Sequence, residues 1–290
     1  MESRTIELDG PLHYVEWPGP RDGAPLLLVH GLGGSYVNWA TVGPRFAQRH
    51  RVLAVDLAGF GRTPLGARRF TLEGNRELLI RFIEGVVREP VTLVGNSMGG
   101  LLSLMVAATA PRRVHSLVLV NAAHPPARGV RPDREVALAF GMYMVPRLGE
   151  YVMQRRAKKL SPAALVRDTM RMCAAEPEKL APEVIAAHVA LAEERRAMAW
   201  AHDAFLGSAR SIVRTLLAPG RVQKMADCVR APTLLVHGDR DRLVPLGAAK
   251  AAAARHHWTL ETLHGVGHVP QLEVPERFVE VVERWLAHRL

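Results

Sequence analysis

With 290 residues and 48% apolar side chains, the chain is long enough to bury a large core, which argues against global disorder. Cys173 and Cys228 are too few for a disulfide framework. Apolar runs such as Pro25–Val29 fall far short of the roughly 20 residues a membrane span needs. The formal charge of +10 is uneven: residues 123–225 hold 17 basic and 10 acidic side chains, against 21 and 18 in the rest. Such a positive middle favours anionic substrates, acidic partners or anionic lipid surfaces. No zinc-finger spacing, RNA-binding motif or basic zipper is present, so nucleic acid is not expected as a partner. The start shows no basic cluster followed by a long apolar stretch, so no secretory signal is read there. With only two cysteines, a reduced cytoplasmic location is the expectation.

The first elements flank Asp9-Gly10: Thr5–Leu8 and Leu12–Trp17 form a predicted hairpin at an antiparallel edge. Leu26–Val29, Arg51–Val55, Val91–Val94 and Ser116–Val120 follow as strands, then Thr233–Val236 and Thr259–Leu263 near the end. Most of these runs are continuous rather than alternating, as strands covered on both faces should be. Helices are predicted over 36–48, 71–88, 98–109, 246–255 and 275–288. Strand and helix alternate, which predicts a doubly wound, mostly parallel α/β sheet. From Pro125 to about Lys224 the strand signal vanishes, and Ser161-Pro162 and Ala181-Pro182-Glu183 read as helix starts. The division that follows is an α/β core of residues 1–122 and 226–290, with an all-helical insertion at 123–225. Methionines scattered through the insertion, such as Met144 and Met170, can fill gaps or line an adaptable apolar pocket.

Three loops directly after predicted strands carry the chemistry. Gly95-Asn96-Ser97-Met98-Gly99 fits G-x-S-x-G between a strand and a helix, a turn that projects the serine hydroxyl above a helix N-terminus. The partial positive charge and free N–H groups there suit a developing oxyanion. His30-Gly31-Leu32-Gly33-Gly34 matches neither a Walker loop nor G-x-G-x-x-G. Its Leu32 N–H pairs naturally with the Met98 N–H as a two-donor oxyanion hole, and His30 reads as structural. The third region offers Asp239 or Asp241 as an acid and His264 or His268 as a base. A serine hydroxyl needs an imidazole to take its proton, and the imidazole needs a carboxylate to fix its tautomer.

Together, His30-Gly31-x-Gly33-Gly34, Asp56-Leu57-Ala58-Gly59-Phe60-Gly61, Gly95–Gly100, Gly238-Asp239-Arg240-Asp241 and Gly267-His268 resemble the α/β-hydrolase superfamily. The resemblance covers the chain outside the insertion, which then looks like the helical cap that many members place over the active site. It implies catalytic Ser97, Asp241 and His268, with Asp56 as a structural aspartate. Some members take their acid from the end of the strand that here runs Ser116–Val120, where this chain has Asn121. Gly31, Asn96, His124 and Val269 are expected along the substrate pocket, and neither cofactor nor metal is called for.

Haloalkane dehalogenases and epoxide hydrolases are similar but require aspartate where this chain has Ser97. Hydrolysis of a carboxylic ester, lactone or thioester through an acyl-enzyme is therefore the leading reading. Gly-Asn-Ser-Met-Gly-Gly is also similar to hydrolases that split the carbon–carbon bond of vinylogous diketone ring-fission products. Those usually place tryptophan after the base, where this chain has Val269. A third reading is a non-catalytic binding protein on the same fold. The implied partner is a small-molecule substrate, anionic or carrier-linked given the basic insertion. An apolar surface on the insertion leaves room for a homo-oligomer.

Overall fold

The apolar strand runs are continuous because successive side chains feed two different cores. In the computed structural model, which describes residues 1–20, 24–125, 129–130, 133–198 and 200–288, eight strands form one sheet. They are β1 (Glu2–Glu7), β2 (Pro11–Trp17), β3 (Leu26–Val29), β4 (Val52–Val55), β5 (Val91–Asn96), β6 (Val114–Val120), β7 (Thr233–Gly238) and β8 (Thr259–Leu263). Leu27, Val29, Leu53, Val55 and Leu93 face one apolar cluster. Their neighbours Leu26, Leu28, Val52, Ala54 and Val94 face the other. Helices α2 (Leu72–Phe82) and α3 (Met98–Thr109) contribute to the first cluster, and α1 (Gly43–Phe46) and α12 (Pro275–Ala287) to the second.

The strand order is β1-β2-β4-β3-β5-β6-β7-β8, and only β2 runs against the rest. This is the doubly wound, mostly parallel sheet that the sequence predicts. Asp9 and Gly10 both take positive φ in the predicted hairpin turn. The chain steps outward from β3 to β4 and then returns to place β5 on the other side of β3. At such a switch point the loops leaving adjacent strands diverge and open a crevice at the carboxyl ends.

Two predicted helices differ. Residues 36–48 split into a 3₁₀ turn at Tyr36–Trp39 and the short α1. Gly43 there lies so close to Trp17 that a Cβ would meet its ring at 2.7 Å, and Pro44 lacks an N–H. Residues 71–88 form α2 and then widen into a π-turn at Ile83–Val87, closed by Arg88 at φ 65°.

Between β6 and β7 come α4 (Arg134–Met144), α5 (Leu148–Lys159), α6 (Pro162–Cys173), α7 (Pro182–Arg195), α8 (Ala201–Leu216) and α9 (Pro219–Asp227), with no strand among the described residues. Ser161 caps α6 through its hydroxyl. Val222 and Ala226 of α9 join the cluster against the sheet. Val166, Met170, Leu180 and Val184 of the α6–α7 region instead form a third cluster with Val269 and Leu272. After β7 the chain forms α10 (Leu246–His256), and after β8 a short α11 (Pro270–Glu273).

Candidate active site

Sheet register brings the predicted loops together. Val29 pairs with Gly95 and Asn96 with Val120, so Gly31, Ser97 and Asn121 emerge side by side at the carboxyl edge. Ser97 sits at φ 56°, a conformation that costs a non-glycine residue about 1–3 kcal/mol. Surrounding bonds hold it there. Its N–H donates to Val120 O (3.0 Å), and its carbonyl accepts from Leu101 N and Ala123 N (both 3.1 Å). A Cβ on Gly99 would lie 2.1 Å from Val29 O, and one on Gly95 2.3 Å from Gly99 O. The elbow therefore tolerates only glycine on both sides, which is the physical content of the G-x-S-x-G signature.

Met98 opens α3, so its N–H has no acceptor within the helix. Gly31 lies against the serine, a Cβ built on it being 3.1 Å from Ser97 Cβ. This puts the Leu32 loop beside the hydroxyl. His30 behaves as a strut: its Nε2 accepts from Leu57 N (3.0 Å) and its Nδ1 faces Gly31 O (2.7 Å). Burial pushes its pKa down. Asp56, fully buried, accepts from Tyr36 N (2.7 Å), Arg62 N (2.8 Å) and His13 Nδ1 (2.7 Å), fastening three segments below the crevice.

Of the two candidate pairs, Asp241 and His268 are the buried one. His268 Nδ1 donates to Asp241 Oδ2 at 2.8 Å, with both side chains almost fully enclosed. His264 and Asp239 also bond (2.9 Å), but the His264 ring is 79% exposed. Asp241 Oδ1 accepts from Leu243 N (2.8 Å) and Val244 N (3.0 Å). Burial alone would raise its pKa. The adjoining His268 and His237 imidazoles and the Asn121 amide outweigh that, holding the carboxyl below its ordinary value. Among the described residues the Ser97 hydroxyl makes no hydrogen bond. Such contacts are often loose without substrate and tighten in the Michaelis complex.

Two positioning groups escaped the sequence reading. Asn121, just after β6, donates to Asp241 Oδ2 (2.6 Å) and Gly267 O (3.1 Å), so an amide there clamps Asp241 to the His268 loop. Glu273 accepts from Gly267 N (2.9 Å) and Val269 N (3.2 Å) on either side of His268, and from Ala175 N (2.8 Å) beyond α6. His268 N in turn donates to Cys173 O (2.7 Å). The His268 loop is thus laced to the segment after β6. The only sequence sign of this was a carboxylate shortly after Gly267-His268.

Of the residues expected along the pocket, Gly31 reaches Ser97, and the other three are enclosed. Asn96 spends its amide on Val120 O (3.1 Å) and His268 O (3.0 Å), tying the Ser97 turn to the His268 loop. Val269 packs in the third apolar cluster. His124 is buried with no hydrogen-bond partner for Nε2. Burial, reinforced by His237 and His256, pushes its pKa down to about 4. Burial likewise pushes the Cys173 thiol up to about 12, so it stays protonated.

The chain belongs to the alpha/beta hydrolase family, whose model matches residues 26–281. A pimeloyl-[acyl-carrier protein] methyl ester esterase of Aeromonas hydrophila is 26% identical over 91% of this chain and 96% of its own. A carbamate hydrolase of Azorhizobium caulinodans is 31% identical over 77% of this chain and 76% of its own. The acetyltransferase component of an acetoin cleaving system from Pseudomonas putida is 40% identical over 36% of this chain, a stretch covering 28% of that longer protein. Among solved structures, Cfl2 from Burkholderia cenocepacia superposes with a TM-score of 0.82 at 22% identity, covering 98% of this chain and 95% of its own. A meta-cleavage product hydrolase from Pseudomonas fluorescens gives 0.72 at 20% identity, covering 99% and 98%. These last two likenesses concern the fold.

Proposed function

We propose that the chain is a serine hydrolase that cleaves a carboxylic ester, lactone or thioester through an acyl-enzyme on Ser97. The observation that carries this reading is the strained Ser97 elbow joined through Asn96 to the enclosed His268–Asp241 pair. The similarity to an esterase over nearly the whole chain supports it.

In this mechanism His268 Nε2 takes the Ser97 proton as Oγ attacks the substrate carbonyl carbon. Asp241 holds the imidazole by Nδ1 and stabilises the cation that forms. The N–H groups of Leu32 and Met98 receive the developing oxyanion. Collapse breaks the carbonyl–oxygen or carbonyl–sulfur bond, and His268 passes its proton to the departing alcohol or thiol. Water then gives a proton to His268 and attacks the acyl group, releasing the acid and restoring Ser97.

Residues 123–225 act as the cap in this reading, and their positive surplus supports an anionic substrate whose kcat/KM falls as salt rises. Two free thiols accord with a reducing cytoplasm.

Labelling with an activated phosphonate tests the assignment. Folded wild type should gain one adduct, on Ser97, and Ser97→Ala none. A folded wild type that resists the label would return the chain to the binding-protein class. Short p-nitrophenyl esters should turn over faster than a vinylogous diketone acid. The reverse order would assign carbon–carbon bond hydrolysis instead.

A further inference from the structure

The corner between α4 and α5 exposes large apolar side chains that none of the described residues covers. Leu138, Val145, Leu148 and Tyr151 are between 40% and 66% exposed. Val145, Pro146, Arg147 and Leu148 are four consecutive exposed residues, so the corner projects from the insertion. It is nevertheless firmly based. Arg210 of α8 donates to Tyr143 O (3.0 Å) and Glu150 Oε1 (2.8 Å), and Gly149 seats α5 close to Leu206.

Charge is arranged around this tip. Along α4, exposed Arg134, Leu138, Gly141 and Val145 recur every three or four residues, as do Leu148, Tyr151, Arg155 and Lys158 along α5. Both stripes are apolar towards the corner and basic away from it. The acids on these helices are already bound, Glu135 by Arg242 and Glu150 by Arg210. Among the described residues no carboxylate pairs with Arg134, Arg147, Arg155 or Lys158. The result is an apolar wedge flanked by cations that no described carboxylate neutralises, Arg155 donating to the Tyr151 hydroxyl (3.0 Å).

We propose that this corner docks the protein on an anionic lipid membrane. The tip enters the boundary between headgroups and acyl chains, and the flanking cations meet lipid phosphates. Long basic side chains beside an apolar face suit that boundary, because their stems stay with the apolar layer while their charges reach the headgroups. Charge complementarity selects this occupant over a second copy of the chain: two-fold pairing of the wedge would bring basic flanks against basic flanks. Among the described residues no helix is long and apolar enough to cross a membrane, so attachment is to the surface.

Flotation of the whole protein with vesicles tests this, using phosphatidylcholine alone and phosphatidylcholine containing phosphatidylglycerol. Wild type should float with the anionic vesicles, less so as salt rises, and not with the neutral ones. Val145→Glu combined with Leu148→Glu should abolish flotation. Arg155→Gln combined with Lys158→Gln should weaken it about 25-fold, from about fivefold for each cation lost. All four positions are exposed, and an unchanged melting temperature verifies that the variants fold. Failure of wild type to float, or flotation equal in wild type and variants, overturns the proposal. Vesicle-indifferent protein that is a dimer in wild type and a monomer in Leu148→Glu would assign the wedge to a second copy.

Discussion

Ser97 and His268 lie on turns tied together by the Asn96 amide, yet different parts of the molecule hold them. Ser97 belongs to the sheet: its elbow is fixed by strand register, by Val120 and by the packing of Gly95 and Gly99. His268 belongs half to the insertion, because Cys173, the last residue of α6, and Ala175 just beyond it bond to its loop and to Glu273. The Ser97 turn is thus held by the packing and hydrogen bonds of the sheet core. The His268 loop instead divides its hydrogen bonds between the core and the insertion.

The broadest way to test this comparison is to remove each centre. Ser97→Ala or His268→Ala should each lower ester turnover by about 10⁴-fold or more, and the double variant should be scarcely worse, since the groups act as a unit. Additive losses in steady-state kinetics would break the comparison at its root.

Glu273→Ala should be smaller and one-sided. Loosening the base loop should cost about 10²-fold in kcat with KM little changed. Leaving three amides without their acceptor should lower stability by about 1–3 kcal/mol. Phosphonate labelling at saturating reagent should still occur, because the elbow is untouched. A rise in KM with kcat preserved would place Glu273 in substrate binding instead.

The third prediction concerns pH. The His124 imidazole has an ordinary pKa of 6.5 and about 4 in the fold. Below 6.5 the unfolded chain therefore binds a proton that the folded chain refuses, and stability falls as pH drops towards 4. His124→Phe should flatten that part of the stability curve by up to about 3 kcal/mol, read by denaturant melts across the range. An unchanged slope would remove His124 as a contributor. Asp241 acts further down: its lowered pKa stabilises the fold above the ordinary carboxylate range, and that contribution is lost as acid protonates it.

The smallest effects are expected where α7 meets the Asp56–Thr63 loop. Arg195 donates to Gly61 O (2.6 Å) and Gly59 O (2.9 Å) from a half-buried position, and Arg195→Ala should cost about 1.5–3 kcal/mol. Arg62 and Glu194 form a two-pronged but exposed pair, so a double-mutant cycle should give under about 1 kcal/mol. Equal effects at the two sites would show that burial is not what separates them.

Much of the sheet side was legible because its signals are local. A continuous apolar run, a hairpin dipeptide and a glycine on each side of Ser97 each satisfy a constraint within a few residues. The helix read across 36–48 failed for a non-local reason: Gly43 is required by Trp17 from a different strand. Asn96 carried a family-like pattern, but its amide is consumed by carbonyls at 120 and 268, which sequence spacing does not reveal. Asn121 looked like a position where an acid was missing, and register turned it into a clamp on Asp241.

The sequence by itself determined a doubly wound sheet, the helical character of the insertion and an elbow strained at Ser97, because periodicity and backbone sterics act at short range. Tertiary structure decided that His268 with Asp241, rather than His264 with Asp239, is the enclosed pair. It also decided that Glu273 and Asn121 hold the His268 loop and that the α4–α5 corner is exposed among the described residues. Those outcomes depend on backbone amides, carbonyls and solvent exposure brought together from segments up to 146 residues apart, and such groups leave no mark in the order of side chains.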